Sequence, residues 1–510
     1  FAIIVLALVY WPLSEWEGFS TDPIAPLFYG FTLALIHLWF VGLLQRSRVL
    51  AGPRGKIILS GVALGLVPAM AISQFRYLRK INGPAPRDRV IFITLDTTRA
   101  DHLSAYGYHR NTSPRIDAAA AAGARFAFAV CPMDTTDPSH ASMFTGAYPR
   151  THGALGVGYP ITANVNSLPQ YLADRGFATA AVLSRRLFDP SALLRLPGFN
   201  DEFPLRGPIK NTSAPTAFRR AVNWLDHHRN EDLFLWVHFF EPHQPYLPHP
   251  GFPVRFTDTE KACDPEELEK ALKFSLKKVQ ECVDLYDGEI VYMDYWVGRL
   301  LDYVEQMEPA SERPPLIVLV ADHGEVLGEH LHKPVPYAFG HGPVLYTQAS
   351  WVPLIINWPG RVQPAVVGGT ANLVDLAPTL VDLLFDRDDF VCQGKSLRPA
   401  MEGRESLDGP GVVQRSLVPP ELSRFLSQPA FAAFRGPETL RVFDDGATEY
   451  TDLRADPLEV LDLSPLYPGP TAELKEQFER WKKAVPETKP DVPQFSSRER
   501  TALRALGYIQ

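Results

Sequence analysis

Asp96 follows the apolar run Val90–Leu95, and the pair Asp322–His323 follows a second run, Pro315–Val320, far downstream in the chain. Carboxylates suit hard divalent cations, and an imidazole beside them suits zinc or manganese. Two such ends brought together would place three ligands at one point. The expected cofactor is therefore one divalent ion, of the Mn, Zn, Mg or Ca kind. Between them runs Cys131–Gly146, which carries the adjacent hydroxyls Thr135 and Thr136. A hydroxyl beside a divalent ion becomes a far stronger acid; for water on zinc the pKa drops from about 15.7 to about 7. A threonine alkoxide made that way can attack phosphorus or sulfur, splitting one hard displacement into two easier ones. Arg99, His140 and Lys333 are cations or donors that could meet the negative charge developing in such a step. Two of them have an alternative use: Arg99 could pair with Asp101 or another acid, and His140 could be a hydrogen-bonded packing residue.

The elements that must position these groups can be read from the apolar pattern. Val90–Leu95, Thr179–Leu183, Phe234–Phe240, Pro315–Val320 and Pro353–Asn357 are short runs of the kind that form buried strands. Helical patterns lie between them, at Ser113–Ala122, at Ala217–His228 and in a long amphipathic stretch from Glu266, interrupted near Asp287–Gly288. Strand–helix alternation predicts an α/β fold with a doubly wound, mostly parallel sheet. Ligands of such sheets bind outside the carboxyl ends of the strands, where Asp96 and Asp322 stand. After about Asp386 the pattern changes to short segments punctuated by Pro and Gly. Arg441–Phe443 and Ala447–Tyr450 read as a hairpin and Ala472–Val485 as a late helix, predicting a smaller C-terminal α+β subdomain.

The chain has 510 residues and a net charge of −8, which is modest for this length and gives no indication of nucleic acid as a partner. It opens on Phe1 within an apolar run, as a fragment of a longer chain would. Phe1–Leu13 is short, whereas Pro23–Leu44 and Ile57–Phe75 are uncharged and long enough for a bilayer core of about 30 Å. Transmembrane helices are expected in 1–75, a linker in 76–89, the catalytic domain in 90–385 and the smaller subdomain in 386–510. Gln45–Lys56 carries Arg46, Arg48, Arg54 and Lys56 and no acid, which would keep it cytoplasmic and place everything after Phe75 in the periplasm or outside the cell. Of the four cysteines, Cys131 reads as a buried thiol, and Cys263 and Cys282 flank a helical stretch and could pair.

The segment 131–146 also resembles the nucleophile region of the sulfatase family, within the alkaline-phosphatase superfamily. Pro138, Ser139, Ala141, Ser142, Thr145 and Gly146 set the register. It puts Thr136 where sulfatases carry the cysteine that becomes formylglycine, and His140 where they carry arginine. Leu95–Asp101 resembles the family's first metal motif, Asp322–Glu325 its last, and Tyr286–Leu300 the helix before that strand. Val352–Gly360, Asp375–Thr379 and Ala505–Tyr508 are further landmarks. The resemblance implies an alkaline-phosphatase-like fold, with Asp96, Asp322 and His323 on the metal and Thr136 as nucleophile. It also puts His243 and His341 where relatives keep substrate-binding residues. Sulfatases usually have a second aspartate where this chain has Thr97, and asparagine where it has His323. In these departures the set resembles membrane-anchored phosphoglycerol and phosphoethanolamine transferases, although those commonly carry Glu at the position of Asp96. The first expectation is thus a membrane-anchored enzyme cleaving a phosphoester or phosphodiester, such as one of a lipid or glycan, through Thr136. The alternatives are a sulfuric ester hydrolase working without formylglycine, and an inactive binding or scaffold domain.

Overall fold

The structure is a computed structural model that describes residues 88–493, apart from 157, 185–195, 204–213, 266–267, 269–274, 308–312, 332–338, 343, 388 and 418–429. Its centre is an eight-stranded sheet. In chain order the labelled elements are β1 (Arg89–Leu95), α1 (Pro114–Ala121), β2 (Ala124–Phe126), α2 (Thr136–Thr145), β3 (Ala178–Leu183) and β4 (Asp201–Phe203). They continue with α3 (Ala214–His227), β5 (Leu233–Phe239), α4 (Leu276–Met307), β6 (Leu316–Ala321), β7 (Leu354–Asn357), β8 (Ala365–Val367) and α5 (Leu376–Phe385). The strand order is β8-β2-β7-β6-β1-β5-β3-β4.

All five apolar runs read from the sequence are strands of this sheet. β1 and β5 are buried at every residue, as central parallel strands with both faces covered must be. β1 lies parallel to β5 on one side and to β6 on the other. β7 runs antiparallel to both β6 and β2, which side-chain patterning could not show. Register matters most for function. Leu95 stands opposite both Phe239 and Ala321, so β1, β5 and β6 end level. Asp96 and Asp322 therefore leave neighbouring strands at the same height.

α4 differs from the sequence expectation: it runs without a break through Asp287–Gly288. A helical glycine costs about 1 kcal/mol relative to alanine. That is small against the buried face formed by Tyr286, Ile290, Met293, Val297 and Leu300. Asp287, which reads as a turn residue, instead accepts hydrogen bonds from Tyr108 and Arg110 and pairs with His102.

A second sheet follows, with β9 (Gly411–Gln414), β10 (Phe431–Arg435), β11 (Glu438–Val442) and β12 (Thr448–Asp452) in antiparallel order, and helix α6 (Pro468–Ala484). Phe431, Leu440, Tyr450, Leu474 and Phe478 form its own small core. This is the expected hairpin and late helix, enlarged by two strands.

The expectation of transmembrane helices is corrected. Among the described residues no helix is long and apolar enough to cross a membrane. The three apolar stretches of 1–75, like most of the linker and the landmark at 505–508, lie outside the described residues. The membrane-anchored, extracytoplasmic placement rested on those stretches, and no helix among the described residues supports it.

Candidate active site

The level ends of β1 and β6 bring Asp96, Asp322 and His323 together. Each is fully buried, and one donor atom from each lies within 4.8 Å of the other two. His323 Nε2 is 3.5 Å from Asp322 Oδ2 and 4.0 Å from Asp96 Oδ1. Ligands held at about 2.0–2.2 Å from a four-coordinate ion are themselves about 3.4 Å apart, so the set is near coordination spacing. The donor chemistry fits as well. His323 Nδ1–H donates to the Gly324 carbonyl at 3.0 Å, which leaves Nε2 as the ligating nitrogen. Asp322 Oδ1 accepts the backbone N–H groups of Thr97 and His323, at 3.2 and 2.9 Å, while the buried Oδ2 accepts no hydrogen bond. A His/Asp triad able to hold one divalent ion is therefore present.

The turn after β1 is held in an unusual shape to serve this site. Thr97 has φ of 50°, a left-handed conformation that costs a β-branched residue on the order of 1–3 kcal/mol. The turn is pinned from α4: the Tyr286 hydroxyl donates to the Thr97 carbonyl at 2.7 Å and accepts the Arg99 N–H at 3.0 Å. In return the Thr97 N–H is presented to Asp322.

α2 begins at Thr136, with Thr135 as an extended N-cap residue, and all ten of its residues are buried. Thr136 Oγ1 lies 3.3 Å from His323 Nε2. The helix N-terminus, with its partial positive charge, thus faces the carboxylate cluster. Ser139 fixes the helix to the strand end by donating to the Asp322 carbonyl at 2.6 Å. One turn along, His140 Nδ1–H donates to the Thr136 carbonyl at 2.8 Å and stands 3.7 Å from Asp322 Oδ2.

Two further histidines expected at the site gather with His323. The His341 ring is 4.4 Å from that of His323 and 5.0 Å from that of His243. His243 stacks on Phe240 and donates from Nδ1 to the Gln244 carbonyl at 2.7 Å. His341 pairs with Glu325 at 3.2 Å; burial lifts the Glu325 carboxyl to about 8, against the opposing pull of His323 and Arg99. Arg99 is drawn the other way, into ion pairs with Asp101 and Glu329 and a bond to the Glu325 carbonyl, so the ion-pair alternative describes it. Lys333 lies outside the described residues. Cys131 is a buried thiol whose pKa burial raises, and Cys263 and Cys282 form a disulfide.

Sequence reasoning missed His238 and the role of Glu325. His238 Nε2 is 3.0 Å from Asp96 Oδ2. The signal was available: a histidine near the carboxyl end of an otherwise apolar strand.

These geometric features belong to a known family. Residues 88–386, more than half of the chain, match the family model described as sulfatase, and the chain belongs to the sulfatase family. It is 21% identical over 437 residues to an N-acetylglucosamine-6-O-sulfatase of Bacteroides thetaiotaomicron, covering 68% of this chain and 76% of that protein. Among solved structures, a complex with the substrate D-glucosamine-2-N,6-O-disulfate superposes with a TM-score of 0.63 at 20% identity, covering 78% of this chain and 98% of that one. A phosphonate monoester hydrolase of Agrobacterium radiobacter gives 0.64 at 18% identity, covering 80% and 100%. The chain is thus an enzyme with the alkaline-phosphatase-like architecture of hydrolases and transferases acting on phosphoric or sulfuric esters. The expectation of a membrane-anchored phosphoester-cleaving enzyme is corrected here. The matched family is that of the sulfatases, and no membrane helix accompanies the site among the described residues.

Proposed function

We infer that the protein hydrolyses a sulfuric ester of a sugar, using Thr136 in place of formylglycine. The observation that carries this reading is Thr136 Oγ1, 3.3 Å from His323 Nε2 at the buried N-terminus of α2, in a chain of the sulfatase family. A bound divalent ion would neutralise the carboxylates and the sulfuryl oxygens and make the nearby hydroxyl more acidic. Asp96, Asp322 and His323 would hold it. Thr136 Oγ1 releases its proton to water and attacks sulfur as the alkoxide, and the bond from sulfur to the sugar oxygen breaks. The departing oxygen takes a proton from His243 or His341 across the pocket. Water then cleaves the O-sulfated threonine, releasing sulfate and restoring the hydroxyl. The sugar part of the reading is supported by the sulfated amino sugar in the related complex and by the name of the related N-acetylglucosamine sulfatase.

The test is a paired screen on metal-loaded protein: 4-nitrophenyl sulfate and N-acetylglucosamine 6-sulfate against the matching phosphates. Sulfate release well above phosphate release is expected. A preference for the phosphate esters with no turnover of either sulfate would sink this reading.

A further inference from the structure

His140 and His238 have no assigned work in the reaction above, yet both are buried, at 0% and 1% exposure, directly beside the triad. His140 comes from the second turn of α2 and His238 from the penultimate position of β5, so the two rings reach the same point from different elements. Their centroids are 5.3 Å apart and the ring planes are inclined at 60°. One ligating atom from each, with one carboxylate oxygen of Asp322, all lie within 4.8 Å of one another. Asp322 belongs equally to the first cluster. Asp96, also of the first cluster, reaches His238 through Oδ2 at 3.0 Å. Trp236 packs on the His140 ring at 4.9 Å, and Trp236 is held by its N–H to Thr94 Oγ1 at 2.8 Å, so the ring is fixed in place.

Two imidazoles and a carboxylate at this spacing form a donor set for a borderline divalent cation such as zinc, cobalt or manganese rather than for calcium or magnesium, which prefer all-oxygen surroundings. We propose that His140, His238 and Asp322 hold a second divalent ion beside the first, with Asp322 shared between them. In sites of this kind a pair of ions stabilises both the attacking and the departing oxygen of a displacement. The proposal rests on the reading of Asp96, Asp322 and His323 as the first ion's ligands, but it is independent of which ester is cleaved.

The test is metal stoichiometry. The full chain is stripped with a chelator, loaded with CoCl2 or MnCl2, gel-filtered and analysed by elemental mass spectrometry. About two equivalents are expected for the parent chain and about one for His238→Gln and for His140→Gln. His323→Gln should lose the other equivalent, which separates failure of the second site from failure of the first. Because these positions are buried, a measurement on the parent chain alone is added. Two manganese ions sharing Asp322 should give an exchange-coupled electron paramagnetic resonance spectrum. One equivalent in the parent with the spectrum of an isolated ion overturns the proposal, and so do two equivalents retained by both histidine variants.

Discussion

Replacing Thr136 by Ala separates chemistry from folding. The side chain is buried, and its hydroxyl meets His323 Nε2 at 3.3 Å, a long contact. Losing one such bond and one methyl group costs about 1–2 kcal/mol of stability. Losing the nucleophile should cost about a thousandfold or more in turnover, or ~4 kcal/mol of transition-state stabilisation. The two effects are read separately, by kcat/KM for 4-nitrophenyl sulfate on metal-loaded protein and by thermal melting. Thr136→Ala should melt within several degrees of the parent while its turnover collapses. Thr136→Ser should keep part of the activity because the hydroxyl survives. Quenched turnover by the parent should yield an O-sulfated peptide containing Thr136. Full turnover by Thr136→Ala would falsify the assignment and leave Thr135 or direct attack by water.

Other regions of the molecule give sharp expectations as well. His152 is fully buried, and burial holds its pKa down at about 3; Nδ1 accepts the Ala154 N–H at 3.1 Å, while Nε2–H donates to Ser142 Oγ at 2.9 Å. Below about pH 6.5 the unfolded chain binds a proton there that the native state refuses, so stability should fall as pH drops from about 6.5 toward 3. In urea denaturation at a series of pH values, His152→Gln should flatten that slope; an unchanged slope would show that other groups set it. The Cys263–Cys282 bridge closes a 19-residue separation, for which chain entropy gives about 3 kcal/mol. The Cys263→Ala/Cys282→Ala chain should therefore unfold at clearly lower denaturant than the oxidised parent. Glu459 accepts Arg441 Nη1 at 2.8 Å, Thr451 Oγ1 at 3.0 Å and the Thr347 N–H at 2.7 Å, joining the second sheet to the segment that leads into β7. Glu459→Ala removes the nearer of the two carboxylates paired with the buried Arg441 guanidinium and should cost about 3 kcal/mol, the low end for breaking a buried pair because Arg441 keeps Glu449 at 3.2 Å. A melting point unchanged within a degree would show that the remaining partner suffices.

Much of the fold was legible because the central strands are short, continuously apolar and bounded by polar turns. Val90–Leu95 and Pro315–Val320 could be placed in a buried sheet, and the acidic residues after them at its carboxyl edge, from the sequence alone. The reversed direction of β7 was hidden, since a buried strand shows the same side chains in either direction. The continuity of α4 was hidden too. A local signal, Asp-Gly, pointed to a break, and the buried face of the helix together with the partners of Asp287 outweighed it.

By itself the sequence determined the chemical inventory: carboxylates and an imidazole after two strands, a threonine in the nucleophile register, and histidines in the loops. Side-chain type is local information, and periodicity extends it by a few residues. Only the tertiary structure decided which of these groups meet. The level register of β1, β5 and β6 sets Asp96, Asp322 and His238 side by side. The placement of α2 sets Thr136 and His140 against them, while Arg99 is turned toward Asp101 and Glu329. Those meetings depend on contacts between residues hundreds of positions apart, whose energies come from packing the whole sheet and are written in no single segment.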